Sequence, residues 1–172
     1  MLAAYGRLHQ DYPQAEPATV AAYRDEAVLL AGLLLTQLKQ KPLVIKSLAE
    51  PFKRHPDYAV FASLPGAGPC LGPGLLAKFG GDRARFPTAA NVQALAGTYP
   101  TTEASGKRRQ VKFQHTCDHE FRQIAVQWAK ASLRESIWAA SYWEQFQPKC
   151  HSLSLAYRCL ANRWLAVARI GY

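Results

Sequence analysis

The sequence predicts a mainly α-helical protein, in which an N-terminal helical hairpin or coiled-coil arm precedes a compact helical domain containing a helix-hairpin-helix-like unit. Three observations carry this reading. Val20, Tyr23, Ala27, Leu30, Leu34 and Leu38 recur at steps of three and four residues, which lines them along one helical stripe. Leu64-Pro65-Gly66-Ala67-Gly68 has the grammar of a tight glycine turn between two helices. From Asp118 onward, helical spacing returns with polar residues set where helix starts need them. A chain of 172 residues, 49% of them hydrophobic, is also long enough to bury a core.

In order along the chain, residues 1–17 carry Gly6, Pro13 and Pro17 and read as an irregular lead-in that fits a truncated end. Residues 18–56 form the arm. Pro42 is expected to end or kink its first helix, with a second helical stretch from Leu43 to Lys53. An oligomerising arm accounts for the leucine stripe, and core packing within a monomer accounts for it equally well. The remaining domain, 57–172, opens with the helix-hairpin-helix-like unit at about 57–80. There, Gly66 and Gly68 permit positive φ, and turn amides beside a helix N-terminus can hold a phosphate. Pro69 suits the first turn of the second helix, whereas Gly72, Pro73 and Gly74 oppose a regular helix. A plain turn between packed helices is the competing account.

Thr88 to Ala96 reads as a short helix closed by Gly97, a residue suited to a left-handed terminus. Tyr99 to Gln114 lacks a helical period, and a serine loop is expected at about 99–116. The helical remainder covers 118–170. Asp118 is its first cap, with Phe121, Ile124, Ala125 and Trp128 on one face. Ser132 with Glu135 resembles a capping box for a helix carrying Ile137, Trp138 and Tyr142. Leu153 to Ile170 supplies the last helix, and its Leu160 and Trp164 are read as core.

Charge is distributed unevenly. The net charge is +9, yet residues 1–50 hold five basic and five acidic side chains, so residues 51–172 carry the whole excess, sixteen against seven. That asymmetry points to a polyanionic partner, because phosphate neutralisation with counterion release dominates nucleic-acid affinity. The densest cationic run is Lys107, Arg108, Arg109 and Lys112, directly after Ser105 and Gly106 and with no acid among them. The competing account is a turn serine beside a solvated basic run. Cys70, Cys117, Cys150 and Cys159 form no CxxC pair, which argues against a zinc ribbon or a secreted disulfide framework. His115, Cys117 and His119 alternate, but the downstream pair Cys150 and His151 is not diagnostic, so no metal site is assigned. The longest uninterrupted apolar run, Ala27 to Leu35, is about half the roughly 18–20 residues that span a bilayer. A cytoplasmic protein without a membrane partner is expected.

Taken together, Leu64-Pro65-Gly66-Ala67-Gly68, then Asp82-Arg83-Ala84-Arg85-Phe86, then Ala96-Gly97 with Pro100, then Ser105-Gly106 resemble a known domain in order and spacing. It is the carboxy-terminal transposase domain of the insertion-sequence one-ten family, the bridge-RNA-guided serine transposases. The resemblance covers about Phe61 to the end, and the helical arm before it also fits. It implies that Ser105 attacks a DNA phosphodiester and becomes joined to the broken strand. Lys107, Arg108, Arg109 and Lys112 would surround the phosphoryl oxygens or hold the flanking backbone, and Gly106 would let a phosphate approach the main chain. It further implies DNA as partner and a guide RNA as a second partner, while the apolar stripe of the arm adds an expectation of homo-oligomers formed through the 18–54 helices. No cofactor is expected in this chain itself. Family members bind magnesium through an acidic resolvase-like domain, which nothing in these residues resembles. Where many members have a glycine before the helix that follows the serine, this chain reads Phe113-Gln114-His115-Thr116-Cys117-Asp118. A non-catalytic helix-hairpin-helix DNA-binding module, a decayed remnant, and an oligomerisation scaffold remain open beside the catalytic reading.

Overall fold

Leucine, alanine, lysine and glutamine dominate residues 27–41, and good helix formers in that density propagate a helix once it has started. The computed structural model describes residues 16–105, 108–112 and 114–172, with side chains described outside the 101–112 segment. Most of the 1–17 lead-in lies outside the described residues. Helix α1 runs from Pro17 to Arg54. Its opening proline sits in the first turn, where an N–H would have no helical partner anyway. The break expected at Pro42 does not occur, so the expected hairpin is one helix. A proline deletes one ladder bond, and in a helix of 38 residues the bonds on either side carry the structure past it.

The chain divides into two compact units, one ending at Val44 and one spanning Ile45–Tyr172. In the first unit, Val20, Tyr23, Leu30, Leu34 and Leu38 are exposed, and so are Val28, Leu29, Leu33 and Leu35 between them. Apolar side chains therefore surround this part of α1 rather than forming a single stripe. Although no uninterrupted apolar run reaches bilayer length, one 18-residue window of α1 is apolar enough to cross a membrane by length and composition. The same composition serves a helix that packs against other helices.

The second unit continues with α2 (Tyr58–Ala62), α3 (Gly68–Phe79), a 3-10 turn at Arg83–Arg85 and α4 (Ala89–Leu95). A two-stranded ribbon follows, β1 (Thr101–Ser105) and β2 (Arg108–Lys112), and then α5 (His119–Ser132), α6 (Ile137–Phe146) and α7 (Leu153–Gly171). The architecture is mainly α, as predicted, with this antiparallel ribbon added where only a loop was expected. Helix α7 packs on α5 and α4, and α3 packs on α5. Phe61, Phe79, Phe121, Trp128, Leu160 and Leu165 are fully buried. Phe79 meets Phe61, Phe86, Phe121 and Tyr172 edge-on, with ring centroids 5.2–5.9 Å apart. Each such pair contributes about 0.5–1.5 kcal/mol beyond its buried area. Trp164 and Leu160 are core residues, as expected. The Trp164 indole N–H donates to Ser132 Oγ over 2.8 Å, which satisfies the one polar atom it brings inside.

Helix α3 runs straight through Gly72-Pro73-Gly74, which local propensity alone disfavours. Close packing explains it. A Cβ on Gly72 would lie 3.1 Å from the Phe52 ring, and one on Gly74 would lie 3.3 Å from Ile124 Cδ1. The glycines thus let α3 approach the end of α1 and α5 closely, and the burial obtained outweighs roughly 1 kcal/mol of helix propensity per glycine.

Caps set the boundaries. Thr88 N–H and its hydroxyl both donate to Asn91 Oδ1 at the start of α4. Asp118 accepts from Phe121 N–H over 2.9 Å at the start of α5. The expected Ser132–Glu135 capping box is not formed. Ser132 is the buried last residue of α5 and donates to Ala129 O, and the cap of α6 is Ser136, which accepts from Ala139 N–H. Helix α6 therefore starts at Ile137, and Glu135 is released for another contact.

Candidate nucleic-acid interface

Thr101 and Thr102 are β-branched, Val111 lies near the far end of the second strand, and a Gly-X pair between two short runs is a hairpin signal. The ribbon that results pairs Thr101 with Lys112, Glu103 with Gln110, Ala104 with Arg109, and Ser105 with Arg108. Ser105 is thus the last residue of β1 and stands directly opposite Arg108. Positions directly opposite across an antiparallel pair share one face of the ribbon, while Arg109 occupies a position of the other parity. Gly106 and Lys107 lie outside the described residues.

The ribbon returns to the helical core through residues 114–118, which are tied from several sides. The Gln114 side chain donates to Ala94 O and Thr116 O, each over 3.0 Å, and Asp118 N–H donates to Leu95 O over 2.8 Å. Arg122 of α5 donates through Nη2 to Gln114 O over 2.7 Å and also meets Cys117 Sγ. Gly97 makes room for this arrangement. Its φ is +60°, and a Cβ there would lie 2.5 Å from Arg122 Nη2 and 2.7 Å from Cys117 Cβ. Lys78 bridges Asp118 (2.9 Å) and Glu120 (2.6 Å), joining α3 to the start of α5. The Phe121 N–H first, and then Lys78, hold the Asp118 carboxyl below its ordinary range.

The glycine turn has its two helices, α2 and α3, but its two glycines differ in surroundings. Gly66 is buried at φ +76°, and a Cβ there would lie 2.5 Å from Ser132 N and 2.6 Å from Ala131 C. Its N–H donates to Glu135 Oε2 over 2.6 Å, while the Trp128 indole N–H donates to Pro65 O over 2.9 Å. The turn is therefore clasped onto the C-terminal end of α5, with a carboxylate of the chain itself on the Gly66 amide. Gly68, at φ +54°, is exposed, with open space where a Cβ would stand. Of the two, Gly68 is therefore the one at the surface.

Asp82-Arg83-Ala84-Arg85-Phe86 forms a second clasp. Asp82 accepts from Ala84 N–H, Arg83 pairs with the buried Asp57 carboxylate, and Arg85 donates to Lys78 O and Phe79 O at the end of α3. Arg169 of α7 closes it from the other side by donating to Phe86 O (3.0 Å) and Pro87 O (2.7 Å). In this structure the arginines of the motif hold elements together. Among the described residues no three of His, Cys, Asp and Glu converge, so His115, Cys117 and His119 do not gather with a fourth group.

Sequence inspection missed the Glu135–Gly66 bond, which spans 69 positions, and the tether from Arg122 to Gln114. Neither has a local signal, since a lone Glu or Arg on a helix reads as solvated surface.

The transposase IS116/IS110/IS902 family profile matches residues 58–144, from α2 through the ribbon and most of α6. The chain is 29% identical over 160 residues to the candidate transposase for the IS117 mini-circle of Streptomyces coelicolor, covering 93% of this chain and 39% of that protein. It is also 29% identical over 121 residues to a 42 kDa protein of insertion element IS900 from Mycobacterium paratuberculosis, covering 70% of this chain and 30% of that protein. The chain thus spans well under half the length of these relatives.

Proposed function

This chain belongs to the IS116/IS110/IS902 transposase family, and on that premise we propose that it is the serine-bearing, DNA-binding part of a transposase in which Ser105 attacks a DNA phosphodiester. Family membership supports a part in DNA transposition. The observation that carries the finer reading is the ribbon register, which sets Ser105 directly opposite Arg108 at the end of the most basic segment of the chain.

A new bond forms from Ser105 Oγ to phosphorus, and the bond from phosphorus to one deoxyribose oxygen breaks. The serine proton passes to a base, and the departing oxygen takes up a proton. Because a serine hydroxyl is a poor nucleophile at its free pKa, the base and the charge around the phosphoryl oxygens decide the rate. Arg108 supplies cationic charge at the position facing Ser105, and Lys107, Arg109 and Lys112 extend it along the DNA backbone. Gly106 permits close approach of the phosphate. Among the described residues no three carboxylates, histidines or cysteines converge as a magnesium site would need. The base and any metal site belong to an acidic domain supplied alongside this chain, so the reaction centre is composite.

The clasp on Gly66 supports a packing role for the glycine turn, with Gly68 as its surface contact to DNA. The exposed leucines of α1 support self-association through that helix, and the unbalanced basic charge of residues 51–172 suits a guide RNA as well as DNA. We place the protein in the cytoplasm, with the DNA it acts on.

The test is strand exchange in the presence of an added resolvase-like domain, guide RNA and magnesium. Ser105→Ala is expected to abolish exchange while leaving DNA affinity within about twofold. Exchange at the wild-type rate in Ser105→Ala would remove the nucleophile assignment.

A further inference from the structure

Helix α6 places Trp138, Tyr142 and Phe146 at steps of four residues, so their rings rise along one side of the helix as a ladder. Trp138 stacks on Tyr142 with ring centroids 5.7 Å apart, and Tyr142 stacks on Phe146 at 5.2 Å. Arg163 of α7 donates to the Tyr142 hydroxyl. We infer that this ladder is a platform for unpaired RNA, on which a nucleobase continues the stack at Trp138 while Arg163 takes a neighbouring phosphate. The site is built on other elements than the basic ribbon, and its assignment rests on the reading of the chain as a nucleic-acid-binding transposase part.

Core packing does not require this ladder. Trp128 and Trp164 keep their rings inside and donate their indole N–H groups to Pro65 O and Ser132 Oγ, whereas Trp138 leaves 47% of its surface in water. The Trp138 ring is held all the same, because Trp164 meets it edge-on at 5.0 Å and is itself fixed through Ser132. An aromatic face that is both exposed and held loses little freedom when a planar group lands on it. Charge decides which planar group. Helix α7 carries arginines and no acidic residue. Glu144 is the one acid of α6 and stands about 200° round the helix from Tyr142. Glu135, just before α6, accepts from the Gly66 N–H. On the adjoining side of the same helix pair, Trp143 stacks on Tyr157 at 4.3 Å, and Lys130 lies over the Tyr157 ring at 4.9 Å. Flat faces interleaved with cations match a strand that alternates flat bases with phosphates. A DNA duplex keeps its base faces inside the double helix, so only unpaired bases can reach the ladder. Loops and bulges are where RNA presents such bases to aromatic side chains.

The experiment uses the full 172-residue chain and two labelled single strands of about 12 nucleotides, an RNA of adenine and uracil and an abasic sugar–phosphate strand of the same charge. Affinity is read by fluorescence anisotropy across a salt series. The wild-type chain should bind the RNA about five- to tenfold more tightly than the abasic strand. Trp138→Leu keeps an apolar side chain without a ring and should remove that preference, Trp138→Phe should restore most of it, and neither should change the affinity for the abasic strand. Arg163→Gln should weaken both strands and lower the slope of log affinity against log salt by about 0.7. A second measurement needs no variant: the wild-type chain is mixed with an RNA stem-loop and a DNA duplex, and a photoreactive iodouracil is carried either in the RNA loop or in the duplex. Irradiation should give an adduct on Trp138 or Tyr142 from the RNA loop and none there from the duplex. Equal salt-dependent binding of both strands by the wild-type chain, a base preference that survives in folded Trp138→Leu, or RNA adducts on neither Trp138 nor Tyr142 would overturn the platform and leave the ribbon reading intact. An adduct on the ladder from the duplex alone would make the occupant an unpaired DNA base, which overturns the RNA assignment. No salt-dependent binding of any strand by the wild-type chain would instead count against the functional reading itself.

Discussion

Replacing Glu135 by alanine removes the carboxylate that accepts the Gly66 N–H over 2.6 Å and leaves that N–H in a turn where Gly66 is buried. Hydrogen bonds to a charged partner contribute about 1.5–3 kcal/mol, and a buried donor left unmade costs about 1–3 kcal/mol. Glu135 itself is exposed, so water can reach part of the gap and the lower half of each range applies. The expected loss is about 1.5–2 kcal/mol. For a unit the size of Ile45–Tyr172, each kcal/mol moves the melting temperature by about 4 °C, so the midpoint should fall roughly 6–8 °C in differential scanning calorimetry. Glu135→Gln keeps an acceptor oxygen and should recover more than half of that loss. The pair also separates packing from phosphate binding, because both variants remove the same charge. If the Gly66 amide served a phosphate, freeing it in Glu135→Ala alone would tighten DNA binding relative to Glu135→Gln. Equal DNA affinity for the two variants is expected. An unchanged melting temperature in Glu135→Ala would refute the clasp, and tighter DNA binding in that variant alone would return Gly66 to the interface.

Three further outcomes follow from the geometry. Gly97→Ala places a Cβ 2.5 Å from Arg122 Nη2 in a residue at φ +60°. It should cost about 2–4 kcal/mol through left-handed strain and displacement of the Arg122 tether, read as a lower urea midpoint. The folded carboxyl of Asp118 lies below its unfolded value of 3.8, so its contribution is fully present above about pH 4–5 and is lost as pH falls through the folded value. Asp118→Asn should therefore melt lower than wild type at pH 7, and the gap between the two proteins should narrow at pH 3. Arg108→Ala should slow formation of the covalent protein–DNA product more than Arg109→Ala does, since only Arg108 is the cross-strand partner of Ser105. Equal effects in single-turnover assays would contradict the register argument.

Helix starts were the most legible part of the sequence, because a cap is a local event. Asp118 acts as read, Gly97 takes the positive φ assigned to it, and Thr88, read as the first residue of its helix, is the cap just before it. Ser132 with Glu135 misled for an instructive reason: the spacing of a capping box was present, but Trp164 claimed the serine and Gly66 claimed the glutamate. Pro42 and Pro73 were read as breakers, and both lie inside continuous helices where neighbouring bonds and close packing prevail. The ribbon escaped notice because Thr-Thr-Glu-Ala-Ser and Arg-Arg-Gln-Val-Lys hold too few apolar residues to show strand alternation. At the candidate site, Ser105 and the basic run stand out in one dimension. The pairing of Ser105 with Arg108 and the meeting of Tyr142 with Arg163 across two helices require the fold.

The central claim is that Ser105 forms the bond to DNA. Its most direct test is mass spectrometry of nuclease-digested, proteolysed reactions that contain the full chain, an acidic resolvase-like domain, guide RNA, magnesium and target DNA. The account predicts a peptide bearing a nucleotide phosphate on Ser105, absent from Ser105→Ala. A nucleotide joined to a different residue, or an adduct that persists in Ser105→Ala, would contradict it.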